Sequence, residues 1–342
     1  MKIATHRGGK LLASHGWRLC RVAVAWVCVT LVVGAHADDY RGREEAASIL
    51  VEVGNEGVDV VWAGELLAVA KRQQSILDAI ARPAEKTKPW YDYRDIFLTE
   101  RRIREGIVFW DTHAAVLEEI SRRTGVPSAV MVAIIGVETF YGRITGSYRV
   151  IDALATLAFD YPRRSPFFTR ELEQFLILAW ESGKDPLALK GSYAGAMGYG
   201  QFMPSSYRAY ARSFEPGGVP DIWDNPADAI SSVGHYLQAH GWQADERVLL
   251  DAVANQPSDS LFEAGLKPSQ SIDALAQAGL STEVDVDPHT QVTPIKLETT
   301  DGQRYWLGLQ NFYVITRYNH SVMYAMAVWE LSQAIVAARP VS

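Results

Sequence analysis

Cysteine is nearly absent from this chain, which contains only Cys20 and Cys28 among 342 residues. Both precede residue 38, in a segment that we expect to be removed from the mature protein. The mature chain would then form no disulfide and carry no thiol nucleophile. We also expect no zinc site, because His235 and His240 lie five residues apart and no H-E-x-x-H sequence occurs.

The apolar run near the N-terminus is too short for a membrane span. Residues 22–34 form a run of about 13 residues, whereas a membrane-spanning helix needs about 20. Five basic residues precede the run, and Ala35-His36-Ala37 follows it. These are the three parts of a secretory signal peptide, which predicts cleavage after Ala37 and a periplasmic product. A retained anchor is the alternative, and neither cysteine has the setting that lipidation requires.

Positive charge is scarce once this segment is removed. Residues 1–37 hold five of the 33 basic residues and none of the 40 acidic ones, which leaves a net charge of −12. A protein this acidic is a poor general ligand for nucleic acid or anionic membrane. The remaining residues are enough for one large domain or for two to three smaller ones.

The apolar spacing predicts a mainly α protein without repeats. Helical spacing covers residues 44–81, 99–120, 128–140, 167–180, 205–214, 228–240 and 323–338. Residues 81–90 are typical of a linker, and Gly125 is expected to end one long helix over 99–120. Strand-like pieces at 291–297 and 304–307 indicate a small mixed insertion over 251–309.

Glu138 stands near the end of a helix that is apolar on almost every side, residues 128–140. Burial and the negative end of the helix dipole both oppose its charge, so we expect a raised pKa. A general acid needs that property near neutral pH. The alternative is a structural carboxylate, hydrogen-bonded to Tyr141 or to a nearby backbone amide.

A second motif, residues 190–206, has glycine at positions 191, 195, 198 and 200. It matches neither a P-loop nor a dinucleotide-binding turn. Its glycines permit close approach of the backbone to a ligand, and its polar and aromatic side chains suit a sugar. A tight loop capping the following helix is the alternative.

Four motifs occur in the order found in one known family. They are GVETFYGR, DALATLAFDYPRR, KGSYAGAMGYGQFMPSSY and NFYVITRYNHSVMYAMAVW. In these motifs the chain resembles the membrane-bound lytic murein transglycosylase B family over about residues 93–338. The resemblance implies a lysozyme-like core, assigned to residues 125–250 plus 310–342. An N-terminal helical domain would occupy residues 38–124, with the small insertion at 251–309.

The resemblance also implies the reaction. Enzymes of this family cut the β-1,4 bond between N-acetylmuramic acid and N-acetylglucosamine in peptidoglycan without adding water, and leave a 1,6-anhydro end. Glu138 would act first as acid and then as base, whereas ordinary glycosidases use two carboxylates. We expect no catalytic role for Asp152, Asp160, Glu171 or Glu173, which we interpret as solvated or capping residues.

Substrate-binding residues follow from the same resemblance. Ser192 and Gln201 would hydrogen-bond the sugars, and Tyr93, Tyr236, Tyr324 and Asn319 would line the cleft. For the tyrosines, plain core packing is the alternative. Arg163 and Arg164 form a basic pair suited to stem-peptide carboxylates, or else a solvated surface pair.

The chain departs from the family pattern between residues 213 and 228. Family members can carry a calcium loop there, but this segment has only Glu215 as an acidic residue among the first ligand positions. Glu215, Asp221 and Asp228 could hold an ion weakly, yet we expect no cofactor. The family's lipidation cysteine is also missing.

These observations predict an enzyme, although a water-adding muramidase and an inactive wall-binding protein remain as alternatives. The sequence does not distinguish an exo- from an endo-acting lytic transglycosylase. We expect a monomer peripheral to the cell wall, a location compatible with association with cell-wall synthesis enzymes.

Overall fold

The computed structural model describes residues 40–81 and 88–340. The predicted signal peptide, residues 1–37, lies outside the described residues, as does most of the predicted linker at 81–90. Within the described part of the chain, no single helix is both long and apolar enough to cross a membrane. Two bent helix pairs meet that criterion only when the two helices of each pair are counted together.

Within residues 40–81 and 88–127, six α-helices precede the buried one. They are α1 (Glu44–Asn55), α2 (Val60–Val69), α3 (Gln74–Ile80), α4 (Trp90–Phe97), α5 (Glu100–Thr112) and α6 (Ala114–Thr124). The predicted single helix over 99–120 is therefore wrong. His113, with φ −115° and ψ 22°, interrupts it, and a one-residue break leaves the apolar spacing nearly unchanged. Gly125 ends α6 in the left-handed conformation, as predicted.

The predicted buried helix is α7 (Ser128–Thr139). Residues 129–136 are all buried, and α5 and α6 pack against α7. Because apolar neighbours surround it, its side chains can be apolar on every side. This packing fixes the helix end that carries Glu138.

Seven further α-helices follow α7 within residues 140–340. They are α8 (Val150–Asp160), α9 (Ser165–Ser182), α10 (Pro204–Tyr210), α11 (Pro226–Ala239), α12 (Ile272–Gln277), α13 (Gln310–Tyr318) and α14 (Val322–Ala338). Helices α11 and α14 also contact α7. Helix α10 ends four residues earlier than predicted, because Ala211 adopts an extended conformation.

Two small sheets complete the described chain. Strands β1 (Tyr148–Arg149) and β2 (Lys190–Gly191) pair with each other. The larger sheet has the order β4-β6-β7-β3-β5 and only antiparallel neighbours. Its strands are β3 (Leu249–Ala254), β4 (Gln270–Ser271), β5 (Leu280–Ser281), β6 (Gln291–Thr299) and β7 (Gly302–Gly308).

This larger sheet has an apolar cluster of its own, which includes Leu250, Leu275 and Leu307. Both predicted strand pieces are confirmed; β6 extends two residues beyond its predicted C-terminal end, and β7 extends beyond both predicted ends. The mainly α class with a small β part is also confirmed. The division into domains at residues 124, 250 and 309 stays a prediction.

Candidate active site

Glu138 lies half-buried in the last turn of α7. The Tyr324 hydroxyl donates a hydrogen bond of 2.7 Å to its Oε1 atom. Tyr324 stands in the first turn of α14, where the Ser321 hydroxyl accepts a hydrogen bond from its backbone N–H. The helix cap thus fixes the tyrosine that orients the carboxyl group.

Tyr141, one of the two partners that the structural alternative offered Glu138, donates its hydroxyl elsewhere. Its hydroxyl donates to the Arg102 carbonyl oxygen at 2.9 Å, and its ring lies over Gly136. A Cβ atom at Gly136 would come within 2.7 Å of that ring. Tyr141 therefore anchors the turn after α7 to α5.

The glycine-rich motif forms a loop that begins at β2. The Ser192 hydroxyl accepts hydrogen bonds from the N–H groups of Ala194 and Ala196, at 3.3 and 3.1 Å. The Gln201 side-chain amide donates to the carbonyl oxygens of Thr145 and Gly198, at 3.1 and 2.9 Å. These bonds hold the loop in shape and tie the Gln201 amide nitrogen to two backbone carbonyl oxygens.

Tyr318 was missed as a site residue by the sequence interpretation. Its ring stacks on Tyr324 with centroids 6.5 Å apart and lies 4.8 Å from the ring of Tyr236. Its hydroxyl donates to the Gly200 carbonyl oxygen at 2.6 Å. Burial, together with the negative charge of Glu138, raises the pKa of both Tyr318 and Tyr324 well above the ordinary value. Both phenols therefore remain hydrogen-bond donors at neutral pH.

Tyr93 also belongs to this aromatic group. It is buried in α4, and its electrostatic interaction with Tyr324 makes a small contribution to the raised pKa of Tyr324. Tyr236 donates its hydroxyl to the Arg317 carbonyl oxygen at 2.6 Å, and burial raises its pKa to about 12. The Tyr236 hydroxyl therefore stabilises the fold through its hydrogen bond to the backbone of α13, and the residue also lines a neighbouring cleft.

A cleft of about 930 Å³ adjoins these residues. Tyr236, Asn319 and Arg164 line it, whereas Glu138, Ser192, Gln201, Tyr93 and Tyr324 are not among its lining residues. Arg163 is exposed and does not line it either. The full lining comprises Arg164, Phe167, Phe168, Glu171, Ala194, Met203, Ser205, Ser206, Ala209, Tyr210, Tyr236, His240, Arg317, Tyr318, Asn319 and His320.

The cleft has a basic character in an acidic protein. Arg164 lies 4.5 Å from the ring centroid of Phe167, and Arg317 contacts His320 at 2.9 Å. Glu171, the acidic lining residue, accepts hydrogen bonds from the backbone N–H and hydroxyl of Ser205, at 2.9 and 2.7 Å. An anionic ligand group would meet positive charge here. Arg317 and His320 carry no sequence pattern that could have marked them.

The acidic residues between the two motifs have structural partners. Asp152 is buried and accepts hydrogen bonds from Arg149 and from the Lys71 N–H. Asp160 pairs with Arg43. The description of Asp152 and Glu171 as solvated is therefore wrong, because each is buried against its donors, whereas the capping role holds for Glu171 at α10.

Glu173 is half-buried on α9. Its pKa is raised, first by burial and then by the charge of Glu52. The carboxylate that acts on Glu173, that of Glu52, thus belongs to α1 and not to the motif that carries Glu138.

Two of the three candidate calcium ligands between residues 213 and 228, Asp221 and Asp228, have protein partners. The buried Asp228 carboxylate accepts hydrogen bonds from the N–H groups of Phe214 and Asp221, both at 2.8 Å. The Asp221 carboxylate pairs with the Lys184 ammonium at 3.3 Å, while Glu215 is exposed. Both inner carboxylates thus already have protein partners. Among the described residues there is also no group of three His, Cys, Asp or Glu side chains that could hold a metal.

Comparisons with known proteins agree with this geometry. The model of the Transglycosylase SLT domain family matches residues 42–333. Membrane-bound lytic murein transglycosylase B of Escherichia coli (strain K12) is 46% identical over 311 residues, which cover 88% of this chain and 85% of that protein.

Two solved structures share the fold. Catenated lytic transglycosylase SltB1 of Pseudomonas aeruginosa superposes with a TM-score of 0.84 at 47% identity, over 88% of this chain and 100% of that one. Escherichia coli lytic transglycosylase Slt35 in complex with calcium gives 0.79 at 43% identity, over 88% and 95%. The predicted lysozyme-like fold is thereby confirmed. By its family match and these identities, the chain belongs to the Transglycosylase SLT domain family and is a lytic transglycosylase.

Proposed function

We propose that this enzyme cleaves the β-1,4 bond between N-acetylmuramic acid and N-acetylglucosamine in peptidoglycan without consuming water. The observation that carries the proposal is Glu138, held by the Tyr324 hydroxyl at the end of a buried helix. Murein is the substrate in the name of the Escherichia coli relative. Asp152, Asp160 and Glu171 each bind another protein group, namely Arg149, Arg43 and Ser205. This supports a reaction with one catalytic carboxyl group.

The chemistry balances with that one group. Glu138 gives its proton to the glycosidic oxygen as the bond from this oxygen to C1 of the muramic residue breaks. The C6 hydroxyl oxygen then bonds to C1, and its proton returns to Glu138. The substrate supplies the nucleophile, so no second carboxylate has to activate a water. The product is a 1,6-anhydromuramic end.

The neighbouring residues bind and orient the strand. The Gln201 amide oxygen accepts the acetamido N–H, and the Ser192 hydroxyl remains free to donate to a sugar oxygen. Asn319 and the Tyr236 ring line the path of the strand, and Tyr93 supports Tyr324. Arg164, which lines the cleft, and its exposed neighbour Arg163 attract stem-peptide carboxylates. Each of these roles is supported by position alone.

The enzyme needs no cofactor in this proposal. The Lys184 ammonium supplies positive charge to Asp221, and backbone amides satisfy Asp228. We further propose a monomeric periplasmic protein, released by cleavage after Ala37 and peripheral to the cell wall. The basic and apolar pattern of residues 1–37 supports this location.

The test is digestion of purified peptidoglycan by the mature protein and by Glu138→Gln. The wild-type protein should release fragments one water lighter than hydrolytic products, and the variant should release none. Fragments with the mass of hydrolytic products would show that the enzyme is a muramidase. Equal release by the variant would remove Glu138 from the reaction, and no release by either protein would indicate a binding role.

A further inference from the structure

The chain immediately after Glu138 adopts an unfavourable conformation. Phe140, Tyr141 and Gly142 are successive left-handed residues, with φ values of 51°, 60° and 82°. Phe140 and Tyr141 have Cβ atoms that disfavour this region. Such a turn persists only where the surrounding structure holds it, so specific contacts must fix the end of α7.

Thr139 makes contacts of this kind. Its side chain is 1% exposed, and its hydroxyl accepts a hydrogen bond from the Gly142 N–H at 2.9 Å. The same hydroxyl lies 2.8 Å from the Tyr199 carbonyl oxygen and 3.2 Å from the Ile135 carbonyl oxygen of its own helix. The shorter contact is the one to the glycine-rich loop. A helical threonine ordinarily bonds back to its own helix, and the Thr139 hydroxyl has, besides that contact, the shorter one that links the two motifs.

Tyr199 completes the contact from the loop side. Its ring packs on Gly142 so closely that a Cβ atom there would overlap it. Two residues further on, Gln201 is also left-handed, with φ 51°, and its amide reaches back to the Thr145 carbonyl oxygen. Loop and turn are therefore joined at three points: the Thr139 hydroxyl, the Tyr199 ring and the Gln201 amide.

We infer that Thr139 is a positioning residue for the lytic reaction. Its hydroxyl holds the Glu138 end of α7 at a set distance from the loop that carries Gln201, and it does not itself touch the substrate. This role rests on the proposed function, because it assigns Thr139 to the alignment of the acid with the sugar. Misalignment of a catalytic group slows the chemical step more than it weakens binding.

The test compares variants that keep the shape of the side chain. Thr139→Val removes the hydroxyl and should lower kcat by about ten- to a hundredfold, with KM for soluble peptidoglycan strands within about twofold of wild type. Thr139→Ser should restore most of kcat. Thr139→Cys, whose thiol is a weak donor, should fall between them, and it replaces the valine variant if that protein does not fold.

Thr156→Val is the matched control. Thr156 is equally buried, and its hydroxyl accepts a hydrogen bond from the Gln73 N–H at 3.0 Å, outside the site. This variant should lose comparable thermal stability while keeping kcat. The inference is overturned if the valine and cysteine variants of Thr139 keep wild-type kcat, or if Thr156→Val loses as much activity. Glu138→Gln, assayed in parallel, distinguishes this failure from failure of the proposed function, because activity in that variant would refute the function itself.

Discussion

Replacement of Tyr324 by phenylalanine should slow turnover and leave the fold intact. The Tyr324 side chain is 2% exposed, and its hydroxyl donates to Glu138 Oε1 at 2.7 Å. As Glu138 gives up its proton it becomes a carboxylate, and a hydrogen bond to such a charged partner contributes about 1.5–3 kcal/mol. If that contribution is lost in the transition state, kcat falls roughly ten- to 150-fold. The ring itself remains, so its stacking on Tyr318 is preserved.

Tyr40→Phe is the matched control for this experiment. Tyr40 is fully buried, and its hydroxyl also donates to a carboxylate, Asp160 Oδ2, at 2.8 Å. Both variants should lose similar thermal stability, but only Tyr324→Phe should lose turnover, measured as the initial rate of soluble fragment release. Wild-type kcat in Tyr324→Phe would show that the hydrogen bond to Glu138 has no part in the reaction.

Two further predictions concern calcium and pH. Neither millimolar calcium nor a chelator should move the midpoint of thermal unfolding, because Asp221 and Asp228 already have protein partners. A clear rise of the midpoint with calcium would show that the protein binds the ion and would contradict this prediction. Burial lowers the pKa of His235 and His240 below the ordinary 6.5, so the unfolded chain binds more protons than the folded one just below that value. Stability should therefore be full above about pH 6.5 and fall as the pH drops below it. His240→Gln should make this decline less steep when the midpoint of denaturant unfolding is measured as a function of pH. An unchanged pH dependence in the variant would contradict the assignment to His240.

Local pattern was enough to predict the helix that carries the acid. Residues 129–136 are apolar and buried on every side, and a Gly at 125 ends the preceding helix in the left-handed conformation. Both features depend on residues close together in the chain. The glycine-rich motif was likewise recognisable from its own composition.

Long-range partners could not be predicted in the same way. Tyr324 meets Glu138 across 186 residues, and Tyr318 reaches Gly200 across 118. Nothing in the spacing of either tyrosine marks its partner. The burial of Asp152 was missed for the same reason, since its donors include the Lys71 N–H, 81 residues away.

Breaks in regular structure were the other source of error. His113 leaves helical geometry for a single residue, so apolar spacing continues through the break. The left-handed turn after Thr139 contains Phe140 and Tyr141 rather than glycine at its first two positions. Contacts with distant residues stabilise both left-handed residues, and composition gives no signal for them.

The most direct test of the reaction is digestion in water enriched in heavy oxygen, with mass spectrometry of the released fragments. We predict that no heavy oxygen enters the new muramic ends, because the C6 hydroxyl closes on C1. We also predict that Glu138→Gln releases no fragments under the same conditions. Heavy oxygen at C1 in the wild-type products would show that water attacks this carbon, and would contradict the single-carboxylate mechanism.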